Sequence, residues 1–236
     1  MKTRFINLVL VLALVLAGID CVLAQKSQKR EVSAFTEISL KIGANVYLKQ
    51  GSAQSVEVKA SESTLGKLIT EVKDRKLVIR YPSESWFSKW NPGNVDIYVT
   101  IPQIDGLTIS GSGSIISDGE ITSRILDLLI SGSGEIKLAN VQVEKASATL
   151  SGSGNIRLSG KQNATEFKAV ISGSGNLKAI EFPANSVDVK VSGSGNCYVN
   201  SVKNLVAKVY GSGNIIYRGD PMVDSSIVGS GNVKKE

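Results

Sequence analysis

Ser151-Gly152-Ser153-Gly154-Asn155 decides the fold of this 236-residue chain, because the motif does not stand alone. The same five letters return at Ser172–Asn176 and Ser192–Asn196, and near-copies stand at Ser110–Ser114, Ser131–Glu135, Tyr210–Asn214 and Val228–Asn232. The first glycines are Gly111, Gly132, Gly152, Gly173, Gly193, Gly211 and Gly229, so successive copies are 18–21 residues apart. A period near 20 residues signals a solenoid, in which a coil buries its apolar face only against its neighbours.

Aligning the copies on that glycine gives apolar columns. Two positions before it stand Ile109, Ile130, Leu150, Ile171, Val191, Val209 and Ile227, and four after it Ile115, Ile136, Ile156, Leu177, Cys197, Ile215 and Val233. The columns four before and six after are also mostly apolar, ending in Ser225 and Lys235. These are period-2 faces on both sides of a turn. The spacing predicts an all-β chain, a right-handed parallel β-helix of 18–21 residues per coil and, by length over period, about ten coils. Two glycines per turn point to a backbone corner needing positive φ or close approach to its neighbour. The recurring Asn155, Asn176, Asn196, Asn214 and Asn232 are placed to form a hydrogen-bonded ladder along the axis.

The first third is less regular. Lys2 and Arg4, an apolar run from Phe5 to Ala17 and Val22-Leu23-Ala24 read as a secretory signal peptide over 1–24. Lipidation at Cys21 is the weaker alternative, because Ile19 and Asp20 do not suit it. Cleavage removes Lys2, Arg4 and Asp20, leaving 25 basic and 20 acidic residues and a net charge of +5. That mild excess says little about partners, and none is expected to be nucleic acid. No second stretch could span a membrane. The expected mature protein is exported and soluble, in the periplasm, cell envelope or outside the cell. Residues 25–34 read as a flexible lead, 35–105 as irregular coils and 106–234 as the regular repeats of the same single domain. Ile42 to Leu48 is a decayed copy of the repeat, Ser61 to Lys73 is ambiguous between helix and coil, and Pro82 to Gly93 is a loop.

The Gly-Ser-Gly-Asn turns from Gly111 to Asn232, led by Val99-Thr100-Ile101-Pro102, resemble the auto-transporter adhesin head GIN domain family. The resemblance spans roughly Phe35 to Val233. It implies a right-handed parallel β-helix in the envelope of Gram-negative bacteria, an adhesin-like role and no established reaction. It supplies no catalytic residues.

The residues themselves narrow the chemistry. With no His in the chain, His-based acid–base catalysis, Ser-His-Asp and Cys-His pairs and most zinc sites are excluded. A calcium ladder wants a nine-residue repeat with Asp in each turn, but this period is near 20 and the turn carries Asn, Ser or Glu135. A phosphate-cradling loop wants a following helix. No cofactor, metal or catalytic residue is therefore assigned. Two groups are candidate surface contacts. One is Trp86, Phe87 and Trp90 on the loop, which alternatively fold back over a flank of the coil. The other is Lys137, Arg157 and Lys178, five positions after the first glycine, an outward row suited to an anionic glycan or lipopolysaccharide, or simply a solvated face that discourages edge aggregation. The leading reading is a non-enzymatic binding or structural protein whose partner is a glycan or other cell-surface component. The alternative is a carbohydrate-active β-helix enzyme, for which the repeat carboxylates form no evident pair. A third reading is a purely structural assembly protein, a homo-oligomer joined through the ends of the β-helix or through the loop of Trp86 and Trp90.

Overall fold

The computed structural model describes residues 25–82 and 91–236. Its elements in chain order begin with β1 (Lys26–Lys29), β2 (Glu37–Leu40), β3 (Asn45–Gln50) and β4 (Ser55–Ala60). Helix α1 (Glu62–Lys67), β5 (Ile69–Lys73), β6 (Lys76–Arg80) and β7 (Asp96–Ile101) follow. The repeats supply β8 (Gly106–Gly111), β9 (Ser114–Ser117), β10 (Ile121–Gly132), β11 (Glu135–Leu138), β12 (Val141–Gly152) and β13 (Asn155–Ser159). They continue with β14 (Ala164–Gly173), β15 (Asn176–Gly193), β16 (Asn196–Gly211), β17 (Asn214–Arg218), β18 (Met222–Gly229) and β19 (Asn232–Lys235).

The repeats stack in parallel and in the register their columns predict. Ile130 pairs with Ile109 and Leu150, and Ile136 with Ile115 and Ile156. From Gly111 to Gly229 the stack makes about six turns. Apart from the C-terminal layer, the inward columns are almost solvent-free, from Ile109 to Val209 on one wall and Ile115 to Ile215 on the other. In β12 the buried residues Val141 and Ala146 lie five apart. An odd interval breaks the period of two, so the strand turns a corner between them. In the same place the β10–β12 ladder passes from Ser123↔Val143 to Ile125↔Lys145, leaving out Arg124 and Glu144. Each coil thus has a corner here and a second one at the glycines.

The glycine corner is built by contact between layers. Gly152 has φ +122°, and a Cβ on it would stand 2.5 Å from the carbonyl oxygen of Gly132. A Cβ on Gly154 would meet the Gly134 oxygen at the same distance. The space left open lets the Gly132 carbonyl accept hydrogen bonds from the backbone N–H of both Ser153 and Gly154, each at 3.0 Å. Asn155 N–H donates to the Gly134 carbonyl at 2.9 Å. The motif repeats because each corner is seated on the one before it.

The N-terminal third departs from sequential stacking. β2 pairs with β8 on one side and β6 on the other, and β3 with β9 and β7, all in parallel. The β2–β3 layer therefore lies between β8–β9 and the later β6–β7. The register sets Asn45 beside Ser114 and Val46 beside Ile115, so residues 42–48 occupy a repeat position. Beyond β6–β7 the strands turn antiparallel: β5 on β6, β4 on β7, and β1 on β4. The expectation of about ten coils is too high because residues 55–73 form these strands and α1. The lead expected to be flexible likewise carries β1, bonded to β4.

The ambiguous Ser61–Lys73 stretch is part helix, part strand. Ser61 caps α1, its hydroxyl accepting from the Thr64 N–H, and Thr64, Leu65 and Leu68 are buried against the end of the core. The opposite end lacks such a cover among the described residues: Val223 and Ile227 are 42% and 43% exposed.

Candidate functional site

In β11, β13, β15 and β16 the first and third residues face outward, and here the basic row takes shape. Lys137 pairs with Arg157, Arg157 with Lys178, and Lys178 with Tyr198 on consecutive strands. The step between neighbours is about 4.8 Å. Lys137 has an ion pair with Asp118 at 3.6 Å. Arg157 and Lys178 have no ion-pair or hydrogen-bond partner among the described residues. Like charges directly opposite one another on adjacent strands are destabilising.

The row is longer than the repeats suggest. On the N-terminal side Lys137 pairs with Ile116, Ile116 with Tyr47, and Tyr47 with Tyr98. The two tyrosine rings stack at 5.1 Å between centroids, and Lys59 Nζ lies 4.6 Å from the Tyr98 ring. Both rings are 39% exposed. From Tyr98 to Tyr198 six strand steps span about 29 Å. Sequence reasoning missed the tyrosines because the β3 and β7 layers stack out of chain order. The available signal was the shared spacing of Asn45-Val46-Tyr47 and Asp96-Ile97-Tyr98.

An amide rail runs beside the row. Asn176 donates to Asn155 at 3.3 Å, Asn196 to Asn176 at 3.1 Å, and Asn214 to Asn196 at 2.9 Å. Asn232 pairs in register with Asn214. Glu135, Asn155, Asn176, Arg157, Lys178 and Tyr198 line a groove of about 290 Å³. Cationic heads, amides and a phenol together can hold an anionic, hydroxyl-rich chain.

Other sequence candidates do not join this surface. Trp86, Phe87 and Trp90 lie outside the described residues, as does the 1–24 leader. Cys197 is fully buried in the core, and burial pushes its thiol far above the usual range, leaving it a protonated apolar side chain. No group of three or more metal-ligating side chains occurs among the described residues. No described helix is long and apolar enough to cross a membrane.

A family described as "Putative auto-transporter adhesin, head GIN domain" matches residues 34–221. A crystal structure of a "putative adhesin" from Bacteroides fragilis is 23% identical, with a TM-score of 0.84, covering 90% of this chain and 97% of that one. A "putative lipid binding protein" from Parabacteroides distasonis is 26% identical, TM-score 0.70, covering 90% and 96%. A "putative adhesin" from Parabacteroides merdae is 20% identical, TM-score 0.71, covering the same shares. No curated protein matches the chain.

Proposed function

The chain belongs to the GIN-domain adhesin family, and from that premise we propose that it is an exported, non-enzymatic binding protein of the cell envelope that holds an anionic glycan along its basic row. The observation that carries this reading is the unbroken column Lys137, Arg157 and Lys178, two of whose charges have no ion-pair or hydrogen-bond partner among the described residues. A linear polyanion supplies the missing counter-charges in succession, while Tyr198 and the Tyr47–Tyr98 pair offer ring faces at either end. The strands fix the spacing of the backbone positions that carry the cations before the ligand arrives, which lowers part of the ordering cost of binding.

The test is binding to polygalacturonate and heparin, measured by titration at several salt concentrations. The native protein binds, and affinity falls as salt rises. Reversing all three charges (Lys137→Glu, Arg157→Glu, Lys178→Glu) lowers affinity at least about tenfold, the effect of removing roughly 1.4 kcal/mol. Unchanged binding in the triple variant overturns the reading. Released reducing or unsaturated sugar ends would overturn its non-enzymatic part and favour a carbohydrate-active enzyme.

A further inference from the structure

A second concave surface lies on the strands that precede the glycine turn. It is a cleft of about 540 Å³ that shares no lining residue with the basic row. Its floor is Gly106, which pairs with Glu37 on one side and Asp127 on the other. A Cβ there would stand 3.3 Å from Glu37 Cγ and 3.5 Å from the Asp127 carbonyl oxygen. The equivalent position in the next three layers carries Ser147, Lys168 and Asp188. Gly106 therefore leaves a gap in an otherwise filled column, with carboxylate side chains on strands about 9.6 Å apart.

The rim is chemically mixed. Glu37 is paired with Lys76 at 2.9 Å, and Asp127 accepts from the Ser147 hydroxyl at 2.6 Å. Arg124, at the strand corner, lines the cleft with no hydrogen-bond or ion-pair partner among the described residues. Leu129, 40% exposed, lies between Thr108 and Thr149 on the neighbouring strands. The cleft thus presents acceptors, a free guanidinium, hydroxyls and one apolar platform. Its carboxylates Glu37, Asp105 and Asp127 nearly balance Lys76 and Arg124, so it has no strong preference for a charged ligand.

We propose that this cleft is a separate binding site for a neutral saccharide. Carboxylates accept from sugar hydroxyls, Arg124 donates to ring or hydroxyl oxygens, and Leu129 packs against an apolar sugar face. The site stands independently of the anionic-glycan reading.

The experiment is an array of neutral hexose and N-acetylhexosamine oligosaccharides, followed by calorimetric titration of the tightest binder. The native protein binds at least one neutral glycan. Arg124→Ala and Gly106→Val each weaken it about tenfold or more, the range for losing a charge-assisted hydrogen bond or the cleft floor. Polygalacturonate does not displace it. No neutral glycan bound, equal affinity in the variants, or displacement by polygalacturonate overturns the proposal. Should Gly106→Val fail to fold by circular dichroism, Arg124→Ala decides, since its exposed side chain forms no hydrogen bond or ion pair among the described residues.

Discussion

Gly111 and Gly173 occupy the same place in their repeats, yet they are constrained differently. Both have φ near +130° (+136° and +126°), a region that side-chain-bearing residues rarely adopt. Only Gly173 rests on an earlier corner: its Cβ would lie 2.4 Å from the Gly152 oxygen, whereas a Cβ at Gly111 meets nothing within 4 Å. Gly111→Ala is therefore expected to cost about 1–3 kcal/mol, the backbone strain alone. Gly173→Ala should cost distinctly more, above about 4 kcal/mol, because backbone must move as well. Urea denaturation of the two variants checks this. Equal losses would mean that φ, and not contact between layers, selects glycine. Both glycines were visible in the sequence, but the difference between them was not. It depends on what lies beneath, and beneath Gly111 lies the layer that arrives from residues 37–50.

At the scale of the strand, the basic row sets function against stability. Arg157 stands between two like charges on adjacent strands. Replacing it by Gln removes that repulsion while keeping an extended polar side chain. The variant should be more stable by about 0.5 kcal/mol and weaker in polygalacturonate binding. A denaturation midpoint and a titration on the same sample test the pair of outcomes, and a fall in stability would sink the idea that the row opposes folding. This row was legible from Lys137 to Lys178 because the repeat itself aligned those residues. Its extension through Ile116 to Tyr47 and Tyr98 was not, since pairing between β3 and β7 joins residues 51 apart in a stretch without the glycine marker. The cleft over Gly106 was hidden for a related reason. The two carboxylates that flank Gly106 come from positions 37 and 127, and only the inserted β2 strand brings Glu37 alongside Gly106.

For the molecule as a whole, the repeats should be removable units. Gly173 and Gly193 pair in register, and each is followed by Ser-Gly-Asn. Deleting residues 174–193 joins Gly173 to Ser194 and leaves every column continuous. The shortened chain should fold with the same circular dichroism signature and a lower stability, as expected when one set of nearest-neighbour interfaces is lost. Small-angle X-ray scattering should show an axis shorter by about 4.8 Å. Aggregated or unfolded product would show that layers are not interchangeable. The N-terminal region offers no such freedom, because its position in space and its position in the chain disagree. As a nascent or translocating chain emerges, residues 37–50 appear first, but their flanking strands come from 76–101 and 106–117. That segment must wait for both flanks, whereas each later repeat finds its template already assembled. Closure around 37–50 is thus the slow, high-contact-order step, and elongation toward the C-terminus is fast and local. The protein's order of synthesis and its order of assembly diverge at this one layer, so a chain halted before residue 117 carries a seed without a completed lattice.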